Sequence, residues 1–310
     1  MADSKEFLSG RLMVVAFEGW NDAGEAATGA VRVLKEQLDV SLIAEVDSED
    51  FFDYQFNRPT AGFDDDGQRI LVWPTAEVYG PADADEGDEN LAADAGLDVS
   101  SGNTGNVYLL IGTEPSRNWR RFTTEVMQVA VDAGVTGIVF LGAMLADVPH
   151  TRPISVFSTS ENAAVRTELD LERSTYEGPV GILSVIGEAA ETLGIPTVTV
   201  WASVPHYVHN APSPKATLAL IDRLEELINV TIPRGDLVDE ASAWETGIDA
   251  LAGEDEEMAG YIQQLEQARD TVDSPEASGE AIAQEFERYL RKRGGDGPAG
   301  GTAEPWRSRD

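Results

Sequence analysis

Short apolar segments alternate with helix-forming segments over the first two thirds of the chain, and this alternation constrains the fold most. The segments "RLMVVAF", "SLIAEV", "RILVW", "NVYLLIG", "GIVFLGA", "GILSVI" and "TVTVWAS" are predicted strands, because they are short, apolar and rich in β-branched residues. A helix is predicted to begin at Ser213–Pro214, where serine can cap and proline suits the first helical position. Strands that alternate with helices form a mostly parallel sheet covered on both faces, so the sequence predicts an α/β fold.

The composition divides the chain into three predicted regions. Residues 1–234 form the α/β core, and within them residues 80–105 are a predicted mobile insertion, rich in Asp and Glu and unable to bury much apolar surface. Residues 235–293 form a predicted acidic helical extension, whose first apolar stripe consists of Trp244, Ile248 and Leu251. Residues 294–310 are predicted to be a disordered tail.

The charge of the chain narrows its possible partners. It has 22 basic and 56 acidic residues, which gives a formal net charge of −34. A surface this acidic repels nucleic acid and anionic lipid, so neither is a predicted partner. The sequence contains no apolar run long enough for a membrane-spanning helix and no cysteine. The absence of cysteine excludes thiolate metal sites and fits a cytoplasmic location, which is the predicted one.

Polar side chains follow four of the predicted strands at the point where each strand ends. Because the carboxyl ends of parallel strands share one edge of a sheet, and ligands bind at that edge, these side chains are predicted to line one crevice. The candidate crevice residues are Glu18, Trp20, Asn21, Asp22, Glu114, Arg117, Asp147, His150, Arg152, Ser203, His206 and His209.

Several kinds of site compete for these residues. The stretch "GWNDAG" matches neither the dinucleotide fingerprint nor the Walker pattern, so Asn21 or Asp22 is predicted to cap the helix that follows rather than to hold phosphate. Three histidines could form a metal site, but no local ligand pattern supports one, and neither a metal nor a cofactor is predicted. A serine could be the nucleophile of a triad with a histidine and an acid, but the sequence lacks the GxSxG motif that presents such a serine. The tripeptide "VPH" occurs twice, and its proline restrains the backbone before each histidine. This is typical of a functional site with fixed side chains, and equally of two structural loops.

Five longer segments resemble the proteasome assembly chaperone two family, in its actinobacterial branch. They are "AFEGWNDAGEAA", "LLIGTEPSRNWRRF", "GAMLADVPHTRP", "YEGPVGILSVI" and "GIPTVTVWASVPHYVHNAPSPKATLALI", and together they span roughly residues 11–230. The resemblance implies a three-layer α/β/α domain with a mixed sheet, similar to the nucleoside phosphorylase and peptidyl-hydrolase type. It also implies a non-enzymatic assembly chaperone with a protein client, and a homo-oligomer such as a trimer. It transfers no catalytic residue.

Two functional hypotheses follow. The first is a protein-binding or assembly factor that docks a client through its loops and its C-terminal helices. The second is an enzyme of the hydrolase, phosphorylase or ligase type that acts on a small molecule in the crevice. In that enzyme His206 would be the acid or base, Glu18 or Glu114 would orient it or bind a hydroxyl group, and Arg152 would hold an anion.

Overall fold

The computed structural model describes residue 7 and residues 10–46, 49–64, 66–82, 106–228 and 231–273. Most of the predicted acidic insertion, the later part of the predicted extension and the predicted tail lie outside these residues. The chain divides into two compact units, Met1–Glu256 and Glu257–Asp310. None of the helices in the described residues combines the length and apolar character that crossing a membrane requires.

The described residues contain nine strands and seven α-helices, together with short 3-10 turns. The strands are β1 (Leu12–Glu18), β2 (Val40–Val46), β3 (Thr60–Phe63), β4 (Arg69–Val72), β5 (Ala76–Pro81), β6 (Val107–Thr113), β7 (Gly137–Ala146), β8 (Val156–Thr159) and β9 (Thr197–Pro205). The helices are α1 (Ala26–Gln37), α2 (Trp119–Asp132), α3 (Ala163–Leu169), α4 (Ile182–Thr192), α5 (Pro214–Ile228), α6 (Leu237–Glu254) and α7 (Glu256–Asp273).

Seven of the strands form one mixed sheet in the order β2-β5-β6-β1-β7-β9-β8. The four central strands, β6, β1, β7 and β9, are parallel, whereas β5, β2 and β8 pair antiparallel at the two sides. One face packs against α1 and α5 through residues such as Leu34 and Leu220, and the other packs against α2 and α4 through Phe122 and Ile186. This arrangement confirms the predicted three-layer α/β/α fold.

The segment "GILSVI" is not the predicted strand but the first part of α4. Its buried side chains, Ile182, Leu183 and Ile186, continue to Ala190 at helical spacing, so they cover one face of the sheet instead of entering it. A short apolar run carries no period of its own, and only the residues beyond it separate a buried helix from a buried strand. The strand prediction for "GILSVI" was therefore wrong.

Helix α6, predicted as the start of the extension, packs along α5 within the first compact unit. Its buried residues are Leu237, Ala241, Ile248 and Ala252. The predicted stripe is correct for Ile248 and wrong for Leu251, which is 60% exposed. Helix α7, which belongs almost entirely to the second unit, is an acidic amphipathic helix as its sequence predicts.

The segment "RILVW" does form a strand, β4, but it lies outside the main sheet. It pairs with β3 in a separate two-stranded antiparallel hairpin between β2 and β5. All the described residues of β4 are exposed. The end of β5 at Gly80 and Pro81 coincides with the first positions of the predicted insertion.

Candidate functional site

The loops that carry the candidate residues begin at one edge of the sheet. The strands β6, β1, β7 and β9 are neighbours and run parallel, so their carboxyl ends lie side by side. Glu114 and Arg117 follow β6, residues 18–22 end and follow β1, residues 147–152 follow β7, and residues 206–209 follow β9. We call this the strand-end edge.

The loop after β1 is held to its own helix by Asp22. Its Oδ1 accepts hydrogen bonds from the backbone nitrogens of Ala27 and Thr28, at 2.7 and 3.2 Å, and its Oδ2 accepts one from Thr28 Oγ1 at 2.5 Å. Asp22 therefore satisfies the first turn of α1 as predicted, although Glu25 occupies the N-cap position. Burial raises the pKa of the Asp22 carboxyl above its ordinary value, although the bonds from Thr28 oppose this.

Asn21 does not cap the helix but links three segments of the strand-end edge. Its Nδ2 donates to Glu114 Oε1 at 3.2 Å, and its backbone oxygen accepts from Ala143 N at 2.8 Å. Glu114 Oε1 also accepts from Ile182 N at 2.8 Å, at the first turn of α4, where the helix dipole favours a negative charge. Gly181 packs so tightly on Asn21 that a Cβ there would overlap its amide. The Glu114 carboxylate thus binds the first turn of α4 to the end of β6.

The other charged residues near β1 and β6 form surface ion pairs. Glu18 Oε1 lies 2.5 Å from Arg32 Nη2, and Glu18 Oε2 accepts from Thr113 Oγ1 at 3.2 Å. Arg117 pairs with Asp53 at 3.4 Å and is directed to the loop after β2. Both ion pairs are about half exposed, so each contributes little to stability.

His150 is fully buried and uses both ring nitrogens. Its Nδ1 and its backbone N lie 2.8 and 2.7 Å from the Tyr207 hydroxyl, and its Nε2 lies 3.0 Å from Asp249 Oδ1. Because an ionised carboxylate can only accept, Nε2 carries the proton, and in the neutral ring Nδ1 then accepts from the Tyr207 hydroxyl. The Trp244 ring meets the imidazole edge to face at 6.3 Å. This histidine joins the β7 loop to α6.

Lys215 also binds helix α6, through Glu245. Lys215 Nζ, in the first turn of α5, donates to the His150 backbone oxygen and to Glu245 Oε2, each at 2.5 Å. Lys215 is largely buried and Glu245 is about one-third exposed, so water screens this ion pair less than it screens the pairs near β1. Helix α6 is thereby bonded at Asp249 to the loop after β7 and at Glu245 to the first turn of α5.

His206 lies on the solvent side of the same loops. Its Nδ1 is 3.2 Å from Asp147 Oδ1, and this carboxylate is exposed. His209 Nδ1 bonds the His206 backbone oxygen at 2.8 Å, so it stabilises a local turn. Ser203 is buried within β9, where its backbone nitrogen bonds Ser155 O at 3.0 Å. Arg152 Nη1 lies 3.5 Å from Thr151 Oγ1.

The structure thus sorts the candidate residues into groups. Asn21 and Glu114 are bonded to each other, Glu18 lies beside them on β1, and His150 and His206 both contact Tyr207. Arg117 pairs with Asp53 in the loop after β2, and Ser203 and His209 form hydrogen bonds with backbone oxygens. Within the part of the chain that the structure describes, no three His, Asp or Glu side chains are arranged to hold a metal ion. Sequence reasoning missed Asp249 and Lys215, because no local motif marks contacts with His150 that are made across 99 and 65 residues.

Exposed apolar side chains follow or precede, in the chain, Asn21 or residues that contact it. Trp20, which is 62% exposed, precedes Asn21. Met144 follows Ala143, which binds the Asn21 backbone, and Val180 precedes Gly181, which packs on the Asn21 side chain. Met144 and Val180 are also exposed. We call Trp20, Met144 and Val180 the apolar rim.

Comparison with known proteins places the chain in a family. The model of the PAC2 family matches residues 16–252, which is most of the chain and includes every candidate residue. The chain belongs to the PAC2 family. This confirms the resemblance that the five sequence segments indicate. No curated protein matches the chain.

Solved structures of PAC2 relatives from actinobacteria are similar over most of the chain. A PAC2 family protein from Streptomyces avermitilis is 42% identical with a TM-score of 0.68, and the match covers 81% of this chain and 99% of that one. A proteasome-assembly chaperone homologue from Mycobacterium tuberculosis is 40% identical with a TM-score of 0.66 and the same coverage. A second M. tuberculosis protein, of unknown function, is 27% identical with a TM-score of 0.70, and the match covers 84% and 85% of the two chains.

Proposed function

We propose that this PAC2 protein is a non-enzymatic assembly factor that binds a protein client at the strand-end edge through the apolar rim. The observation that carries the proposal is the difference between the polar and the apolar side chains near Asn21. The polar groups there bond to one another and to helix termini, whereas Trp20, Met144 and Val180 face solvent. Exposed apolar side chains beside polar groups that are already hydrogen-bonded to one another suit a docking surface better than a reaction centre.

The client that we propose is a subunit of the proteasome. One support is the M. tuberculosis relative at 40% identity, which is described as a proteasome-assembly chaperone homologue. A second is charge, because a net charge of −34 attracts a client with a basic contact surface and speeds its association. The cytoplasmic location predicted from the sequence remains part of this proposal.

The test is direct binding to purified proteasome α-subunits, measured by biolayer interferometry. We expect the wild-type protein to bind and Trp20→Ala to raise the Kd about thirtyfold, as the loss of a central aromatic contact does. Leu193→Ala is the matched control. Leu193 is similarly exposed but follows the far end of α4, so this variant should bind as the wild type does.

Two results would contradict the proposal: no binding by the wild-type protein, or equal binding by the wild type and Trp20→Ala. The enzyme hypothesis is tested in parallel by a thermal-shift screen against nucleosides, phosphate and amino acids. A ligand that stabilises the wild-type protein but not His206→Ala would favour a reaction centre beside the exposed His206–Asp147 pair.

A further inference from the structure

The chain contains methionine but no cysteine, and this limits its reactions with oxidants. Its five methionines are Met1, Met13, Met127, Met144 and Met258. A peroxide that meets the folded protein finds no thiol to oxidise, so the thioether of methionine is the sulfur group with which it reacts. Because packed side chains shield a buried thioether from an oxidant in water, burial decides which methionine reacts first.

Burial separates the methionines that the structure describes. Met13 is fully buried and Met127 is 3% exposed, both in the core between the sheet and the helices α2 and α4. Met258 is half-buried on α7. Met144 is 38% exposed, which is the largest exposure among these four residues. Met144 is therefore the methionine that a peroxide in solution reaches most readily.

Met144 lies on the side of the sheet that α4 covers. Strand β7 pairs with β9 without a register shift from Ile138 to Ala146, and successive side chains of a strand point to opposite faces. Phe140 packs in the core beside α2 and α4, so Met144 faces the same side. Helix α4 begins at Ile182 and leaves the Met144 side chain exposed. The thioether is therefore reachable from solvent near the carboxyl end of β7.

Oxidation would change the chemistry of this position. The methionine side chain is flexible and apolar, whereas its sulfoxide carries a polar oxygen that accepts hydrogen bonds from water. Burying such an oxygen in an apolar interface without a hydrogen-bond donor costs free energy. Oxidised Met144 is therefore a poor contact for a client that packs on the apolar rim.

We propose that Met144 is a peroxide-sensitive modification site, and that its oxidation weakens client binding at the apolar rim. In the reaction the O–O bond of hydrogen peroxide breaks, one oxygen atom bonds to the thioether sulfur of Met144, and the other leaves as water. The sulfur is oxidised and the peroxide is reduced, so no further reactant is required. Methionine sulfoxide reductases reverse this change. The effect on binding rests on the function proposed above, whereas the modification site does not.

The first test measures the oxidation of each methionine in the purified protein. The protein is treated with hydrogen peroxide for increasing times, the reaction is stopped with excess free methionine, and proteolytic peptides are quantified by mass spectrometry. We expect Met144 to react about tenfold faster than Met13 and Met127. In urea, as the control, the three should react at similar rates, because unfolding removes their burial. Equal rates in the folded protein would overturn the site.

The second test measures binding to purified proteasome α-subunits before and after the peroxide treatment. We expect oxidation to raise the Kd of the wild-type protein about tenfold, and a methionine sulfoxide reductase to restore it. Met144→Leu removes the oxidisable sulfur, so its Kd, whatever its value, should be the same before and after treatment.

Two results would overturn the effect on binding: an unchanged Kd for the oxidised wild-type protein, or an equal rise in the Kd of Met144→Leu. The absence of binding by the untreated wild-type protein would contradict the proposed function instead. The peptide measurement of the first test judges the modification site in either case, because it uses the free protein.

Discussion

The chain carries the tripeptide Val-Pro-His after β7 and again at the end of β9, yet the fold uses the two histidines in opposite ways. His150 is fully buried and bonded at both ring nitrogens, to Tyr207 and Asp249. His206 lies at the surface, with one ring nitrogen 3.2 Å from an exposed carboxylate of Asp147. The difference arises from α6, which brings Asp249 and Trp244 over the first loop. A motif repeated in sequence is therefore not a site repeated in space.

The largest effect should come from removing the buried imidazole. We expect His150→Ala to lower the free energy of unfolding by about 3 kcal/mol, because it creates a cavity and deprives the Tyr207 hydroxyl of a partner. Urea denaturation followed by circular dichroism measures this value. A loss below about 1 kcal/mol would show that α6 does not hold this loop.

A smaller loss is expected when only the partner on α6 is removed. Asp249→Ala leaves the buried Nε2–H of His150 without its acceptor, and we expect a cost of about 1–2 kcal/mol. Asp249 is partly exposed, so water can replace some of the lost bond. The same denaturation measurement tests this, and Asp239→Ala, an exposed residue of the same helix, serves as the control.

Buried and exposed carboxylates should likewise differ in how strongly they make the stability of the protein depend on pH. Burial raises the pKa of Asp22 in the folded protein above the ordinary value of 3.8, so the folded chain keeps this proton to a higher pH than the unfolded chain does. The stability from this group is full below pH 3.8 and is lost as the pH rises through the folded pKa.

Asp22→Asn keeps an acceptor for Ala27 N but cannot ionise, so its stability should fall less than that of the wild type as the pH rises from 4 to 7. Thermal unfolding at a series of pH values measures the difference. Asp66→Asn, at an exposed position between β3 and β4, removes the same charge and should follow the wild-type profile. Parallel profiles for Asp22→Asn and the wild type would contradict the raised pKa.

The smallest effect should come from the exposed histidine. We expect His206→Ala to change the free energy of unfolding by less than about 0.5 kcal/mol, since surface substitutions rarely exceed that value. If His206→Ala destabilises the protein as much as His150→Ala does, the contrast between the two loops is wrong.

The sequence predicts the fold well where pattern and burial agree. The strands β1, β6, β7 and β9 are short apolar runs that become central parallel strands, and their polar ends meet at one edge as the pattern indicates. It fails for "GILSVI", where Glu114, far along the chain, binds the first turn of the helix. It also cannot separate His150 from His206, because their burial depends on α6, whose contact residues Trp244 and Asp249 carry no local signal.

The apolar content of "RILVW" illustrates a related limit. The hydrophobicity of this strand predicts that it is buried, but it does not identify the surface that would bury it. Within one chain of this protein, Ile70, Leu71 and Val72 remain exposed. An apolar run can therefore form a strand without being buried in the core.

The close packing of Gly181 on Asn21 links the amino acids that two distant positions can accept. A side chain at position 181 would displace the Asn21 amide, so a homologue that gains one there must also give up the asparagine or shift the start of its helix. The two positions should therefore vary together during evolution. In a protein redesign, they have to be changed as a pair.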